Sequence, residues 1–142
     1  MGSFNVIIAD RYPVVLRGLS RVLGTQPDFT IVARSTDRNS LIEATRIFTP
    51  DIVILDISMP GIGWREIYSI ANSKSLVTRS TRVVLFAASE EDKLVALAAA
   101  GAHGFIAKDA EPELLVQALR RVANGQRVLP LSRSGGQPGE KM

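Results

Sequence analysis

The chain has 142 residues, the size of one ordinary domain, and a chain that long buries about two thirds of its unfolded surface on folding. With 46% hydrophobic and 22% charged residues it is neither disordered, collagenous nor of low complexity, and zero cysteines exclude a disulfide scaffold, a thiol nucleophile and a thiolate zinc site. Seventeen basic against fourteen acidic residues leave +3, and the arginines are spread rather than gathered, so the expected surface is mixed and solvated, not a nucleic-acid patch. The start, Met1-Gly2-Ser3-Phe4-Asn5, shows no basic segment followed by an apolar one, and no window holds the roughly 18 apolar residues that span a bilayer. A cytoplasmic protein without membrane contact is expected.

Short apolar runs alternate with longer segments whose apolar residues recur three or four apart. The first strand is predicted at Phe4 to Ala9. A helix from Pro13 to Leu23 follows, where proline suits the first turn and Gly24 supplies a left-handed stop. A second strand, Phe29 to Ser35, precedes a helix from Arg38 to Phe48. The third strand, Asp51 to Leu55, and the fourth, Arg82 to Ala87, contain the continuous runs Ile-Val-Ile-Leu and Val-Val-Leu-Phe, as expected of central strands covered on both faces. Helices at Trp64 to Ser73 and Glu90 to Ala100 lie on either side of the fourth strand, the later one followed by Gly101. The fifth strand is Gly104 to Ala107. The last helix, Pro112 to Asn124 with Gly125 after it, should pack on the sheet through Leu114, Leu115, Ala118, Leu119 and Val122. This repeat makes a parallel, doubly wound α/β sheet with helices on both faces. From about Leu131 it gives way to Ser-Arg-Ser-Gly-Gly-Gln-Pro-Gly, a polar linker composition. Residues 1–130 are therefore expected to be the domain and 131–142 a flexible tail, with which either the natural chain ends or the connection to a domain absent from this chain begins.

Function in open α/β sheets gathers at the carboxyl ends of the strands. There stand Asp10-Arg11, then Asp56, then Ala87-Ala88-Ser89, then Lys108-Asp109. Asp10 is equally placed to cap the helix after it. Asp56 ends an apolar run and opens the tight loop Ile57-Ser58-Met59-Pro60-Gly61, which should expose its carboxylate above the sheet. His103, the single histidine, lies in a Gly-Ala-His-Gly turn with no second ligand at useful spacing and is expected to face solvent.

Asp51-Ile-Val-Ile-Leu-Asp56-Ile-Ser-Met-Pro60-Gly61 resembles the phosphoacceptor segment of the receiver domain of two-component response regulators. Ile7-Ile8-Ala9-Asp10 and Pro13-Val14-Val15 are similar to that family's first strand and first helix. The segment from Ala100 through Gly101-Ala102-His103-Gly104-Phe105-Ile106-Ala107-Lys108-Asp109-Ala110 is similar to its fifth-strand segment, and the likeness runs to about Pro130. The resemblance implies a flavodoxin-like (βα)5 fold with strand order 2-1-3-4-5, two helices on one face and three on the other. It implies a histidine kinase whose phosphohistidine gives its phosphoryl group to Asp56, and Mg²⁺ held by Asp10, Asp56 and a backbone carbonyl at Ser58. It also implies a switch built on Lys108, Phe105 and the residue at position 87. The branch resembled most places the receiver before a LuxR-type helix-turn-helix domain, which implies a homodimer and DNA binding through that domain.

Four departures stand beside these matches. Arg11 occupies the position of a second acid that ligates metal in the family. At about 4 Å and an effective dielectric near 20 its guanidinium would attract Asp56 by roughly 4 kcal/mol before desolvation. The other placement turns it to solvent, and only a ligand is lost. Ala87 replaces a Thr or Ser that hydrogen-bonds the phosphoryl group, with Ser89 as substitute if the loop differs. Ile62-Gly63-Trp64 replaces Met-Asp-Gly, which puts Trp64 near the crevice rim. The connection from fourth to fifth strand is about one residue short. The expectation is an atypical receiver, not an enzyme, with weak or absent Mg²⁺ and impaired or absent phosphorylation of Asp56. A conventional phosphoaspartate-switched receiver is the alternative. Unrelated doubly wound enzymes fit less well: a haloacid-dehalogenase phosphatase wants a second Asp where Tyr12 stands, and neither a flavodoxin phosphate loop nor Gly-x-Gly-x-x-Gly is present.

Overall fold

The computed structural model describes residues 3–73, 80–88 and 101–128. Strands β1 (Phe4–Ala9), β2 (Phe29–Ser35), β3 (Ile52–Asp56), β4 (Arg82–Ala87) and β5 (Gly104–Ala107) form one sheet in the order β2-β1-β3-β4-β5, every pairing parallel. Among the described residues four helices alternate with them: α1 (Pro13–Gly24), α2 (Arg38–Phe48), α3 (Trp64–Ala71) and α4 (Pro112–Ala123). This is the flavodoxin-like doubly wound arrangement. The helix predicted at Glu90 to Ala100, Ser89 and the tail from residue 131 lie outside the described residues.

The strand period of two sorts the core into two layers. Ile7, Ala9, Val53, Leu55, Val83 and Leu85 face α2 and α3, where Leu41, Ile67 and Ile70 meet them. Val6, Ile8, Ile52, Ile54, Val84 and Phe86 face the opposite way, toward Leu16, Leu19 and Leu23 of α1 and Leu115, Leu119 and Val122 of α4. Every residue of β3 is buried, as its unbroken apolar run requires.

Three local predictions need correction. Gly24 is the last residue of α1 rather than a left-handed stop; Thr25 closes the helix, its N–H meeting the Leu23 carbonyl and its hydroxyl the Val22 carbonyl at 3.0 Å. Gly101 and Gly125 do adopt positive φ, at 116° and 95°. Leu114 is 56% exposed, while Val116, outside the predicted stripe, is buried with Leu115, Leu119 and Val122, so the buried face of α4 is centred further along the helix than the apolar pattern placed it. Asp51 precedes β3 instead of opening it, because its buried carboxylate accepts the Asn5 N–H at 2.7 Å and so ties β1 to β3 at the amino end of the sheet.

Candidate functional site

Sheet order decides the site. β3 lies beside β1 with Leu55 opposite Ala9, so the next residues outward, Asp56 and Asp10, meet above the same edge, and both are fully buried. Lys108 follows β5 and reaches back over β4: its Nζ lies 2.8 Å from Asp10 Oδ2 and 3.2 Å from Asp56 Oδ1. Its backbone N–H donates to the Ala87 carbonyl at 2.8 Å, and its ammonium stands 5.6 Å from the centre of the Phe86 ring. A single lysine thus bridges two buried carboxylates.

Those carboxylates are engaged differently. Asp10 Oδ1 accepts the Tyr12 N–H at 2.9 Å and so shapes the turn into α1, but it does not cap the helix as the sequence allowed: the cap position is Tyr12, and no side chain caps the first turn. Asp56 Oδ1 accepts the Ser58 N–H at 2.9 Å and the Ser58 hydroxyl at 2.7 Å in addition to facing Lys108. The second oxygens, Asp10 Oδ2 and Asp56 Oδ2, are sealed from solvent and accept no aligned hydrogen bond; the ammonium beside Asp10 Oδ2 stands at ion-pair distance only. Burial pushes the Asp56 carboxyl up, but the Ser58 N–H, the Ser58 hydroxyl and Lys108 together outweigh it and hold the group below the usual carboxylate range. The expected exposure of Asp56 is therefore corrected: the loop folds over it.

Arg11 takes the second of its two open placements. It is exposed, its guanidinium lies 5.0 Å from the centre of the Tyr12 ring, and among the described residues no carboxylate pairs with it. Lys108 already holds the position between the acids, and stacking on an exposed ring lets the guanidinium keep its hydration. Ala87 is buried and Phe105 half-buried, both packed in the layer that faces α2 and α3. Trp64 opens α3 and is 56% exposed, with the Arg65 guanidinium 5.3 Å from its ring centre. Among the described residues no three acidic or histidine side chains gather as a metal cluster.

One connection went unread in the sequence. Arg38 Nε pairs with Glu66 Oε2 at 3.2 Å, and Glu66 Oε1 accepts the Gly63 N–H at 2.9 Å. A glutamate three residues after a helix cap is a recognisable signal, masked here because the cap is glycine rather than serine or threonine.

His103 is half-buried, not solvent-facing. Its Nδ1 accepts the Val83 N–H at 3.1 Å, while its own N–H and carbonyl bind the Val83 carbonyl at 2.7 Å and the Val128 N–H at 2.9 Å. Burial, then the nearby Arg127 and Arg82, lower its pKa from 6.5 to about 4. Between those values the unfolded imidazole binds a proton that the folded one refuses, so acidification favours unfolding there. Wild-type stability should fall by about 2 kcal/mol more than that of His103→Asn, which keeps an acceptor without titrating, as pH drops from about 6.5 to about 4. Urea denaturation at a series of pH values measures this; parallel curves would remove the assignment.

A family model described as the response regulator receiver domain matches residues 6–120. The chain belongs to this family. Among its relatives, the nitrate/nitrite response regulator protein NarL of Escherichia coli strain K12 is 36% identical over 127 residues, covering 88% of this chain and 57% of NarL. Response regulator GacA of Pseudomonas aeruginosa is 33% identical over 127 residues, covering 88% of this chain and 58% of GacA. This receiver domain therefore spans somewhat over half the length of these relatives. Among solved structures, the isolated RcsB receiver domain of Salmonella enterica serovar Typhimurium in the presence of phosphomimetic BeF3⁻ superposes with a TM-score of 0.80 at 26% identity, covering 95% of this chain and 99% of that one. Among the described residues no helix is long and apolar enough to cross a membrane.

Proposed function

We propose that this is an atypical receiver domain, one in which Mg²⁺ binds weakly and phosphorylation of Asp56 is impaired or absent, and that it regulates a transcriptional output domain beyond this chain. The observation that carries the reading is the state of the acidic pair. Arg11 is turned away where the family has a second acid, and Asp56 Oδ1 is shared among two Ser58 donors and Lys108 while Oδ2 is sealed. An oxygen surrounded by donors is a poor nucleophile, and a sealed one meets no donor molecule without movement.

The residues present do suit a hard cation in part. Two inward carboxylate oxygens without aligned donors, on Asp10 and Asp56, are oxygen ligands of the preferred kind, and Ser58 would add its carbonyl. Bound there, Mg²⁺ would supply charge neutralisation on the phosphoryl oxygens. Asp56 acts as acceptor, Lys108 pairs with the negative charge that the phosphoryl group brings, and Ala87 has no hydroxyl to fix the product. Phe105 packs against the same layer as Ala87 and stands ready to report a change there.

The same two oxygens favour the second reading, a conventional phosphoaspartate switch. Calorimetric titration with Mg²⁺, with Trp64 fluorescence followed in parallel, separates the two when combined with acetyl phosphate labelling and Asp56→Asn as blank. The atypical reading expects no saturation in the low millimolar range and little label. Saturating binding with stoichiometric label establishes the conventional one.

Residues 1–130 form the receiver and 131–142 the linker in this proposal. A histidine kinase as phosphodonor, a second copy as dimer partner, DNA as the target of the output domain and a cytoplasmic setting are supported by family membership and by the greater length of the relatives.

A further inference from the structure

We infer that Arg38 is a positioning residue for Asp56: reaching from the first turn of α2 across Gly61 to Glu66, it pins the loop that brings both Ser58 donors to the carboxylate. The inference rests on the reading of Asp56 as phosphoacceptor for its consequence in catalysis, though not for its geometry.

The loop of residues 57–63 joins β3 to α3. Its inner side is held by the sheet: Ile57 and Met59 are buried, and the Ile57 N–H donates to the Phe86 carbonyl at 3.4 Å. Its outer side is Pro60 and Gly61, both exposed, with Gly61 at φ 84°. Gly61 itself has no side chain with which to pack. Arg38 supplies one. A Cβ placed on Gly61 would stand 2.9 Å from Arg38 Cδ, so the arginine stem fills the space over the turn; the backbone angle favours glycine there, and any other residue would also have to displace this stem.

Beyond the stem, the guanidinium is tied at its far end. Its Nε meets Glu66 Oε2 at 3.2 Å, and the other Glu66 oxygen accepts the Gly63 N–H, the last residue before α3. The base of Arg38 is held too, since Asp37 caps α2 by accepting the Ser40 N–H at 2.8 Å, and the guanidinium has a second anchor in Asn39 Oδ1, to which Nη1 donates at 3.3 Å. Arg38 is 44% exposed in its side chain, so the ion pair by itself contributes little to stability. What it sets is the distance between α2 and the turn. Ser58, exposed between the buried Ile57 and Met59, gives two hydrogen bonds of 2.9 and 2.7 Å to one carboxylate oxygen; a displacement of about 1 Å would break both.

Amide hydrogen exchange by NMR tests this in Arg38→Gln, Glu66→Gln and Arg38→Lys. Both charge-removing variants should speed exchange of the Ser58 amide about tenfold while the amides of Val53, Ile54 and Leu55 stay unchanged, and Arg38→Lys, which keeps stem and charge, should restore most of the protection. In the same variants, acetyl phosphate labelling of Asp56 should change in rate. Ser58 protection that matches wild type in both variants, or loss spread equally over β3, overturns the inference. If Ser58 responds as expected and wild-type Asp56 takes no label, the positioning role stands and only its consequence for phosphoryl transfer falls.

Discussion

Lys108→Met should lower the stability of the domain by about 3 kcal/mol near neutral pH, the largest loss expected of any single surface-accessible side chain here. Methionine keeps the length and the contact with Phe86 but removes the ammonium that faces Asp10 and Asp56. Two fully buried carboxylates would then stand together without a cation, which desolvation and mutual repulsion both oppose.

The pH dependence gives this prediction a sign that packing loss cannot imitate. In the wild type the folded Asp56 carboxyl titrates below its ordinary value of 3.8, so its contribution is complete above that value and is lost as pH falls through the folded pKa. In Lys108→Met the pair relieves its repulsion by taking up a proton at a pH where the unfolded carboxylates are already ionised. The folded state then binds more protons than the unfolded one, and stability rises on acidification from about pH 7 to about pH 5. Urea midpoints for both proteins at the two pH values measure it. Millimolar Mg²⁺ should recover part of the loss at neutral pH, because the cation binds only the folded pair. A loss below about 1 kcal/mol with an unchanged pH slope would mean that Lys108 is not what balances the carboxylates.

What sequence made legible follows from how many atoms decide each feature. The run Ile-Val-Ile-Leu before Asp56 can only be an interior strand, and β3 is buried throughout, so the acid at its end had to arrive over the carboxyl edge. Lys108 could be placed beside it because β5 and its turn are short. The orientation of Arg11 was a different matter. Whether a guanidinium enters an acidic crevice or lies on a neighbouring ring depends on a balance of a few kcal/mol between Coulomb attraction and desolvation, and the ring that decided it, Tyr12, is adjacent in sequence without any periodic signature. Asp51 illustrates the same limit: the apolar run after it made it read as the first residue of the strand, whereas it stands before β3 and its carboxylate accepts a backbone N–H of another strand. His103 was misplaced because a Gly-Ala-His-Gly turn reads as surface, while the chain after α4 returns to cover it through Val128. Leu114 falls outside the buried face and Val116 inside it because three consecutive apolar residues, Leu114-Leu115-Val116, leave the phase of a helix undetermined.

Arg11→Asp together with Ala87→Thr should raise labelling of Asp56 by acetyl phosphate well above the unmodified domain, with each single change doing less. Arg11→Asp returns a carboxylate next to Asp10, adding a ligand for Mg²⁺ and removing a cation that contributes nothing to the buried pair from its place on Tyr12. Ala87→Thr returns a hydroxyl beside the Lys108 turn, where the Ala87 carbonyl already meets the Lys108 N–H. The first acts on charge neutralisation before transfer and the second on the phosphoryl oxygens after it, so the effects should add. If each recovers about 1.4 kcal/mol, each changes its own step about tenfold. Ala87 is 3% exposed, so threonine must also find room in a packed layer and should cost about 1 kcal/mol of stability. Ala87→Ser, smaller by a methyl group, supplies the hydroxyl without that cost and controls for it. Phosphate-affinity electrophoresis with Asp56→Asn as blank measures the label. Equal rates for the unmodified chain and the double variant would mean that Arg11 and Ala87 are harmless replacements, and the domain would then be a conventional phosphoaspartate switch.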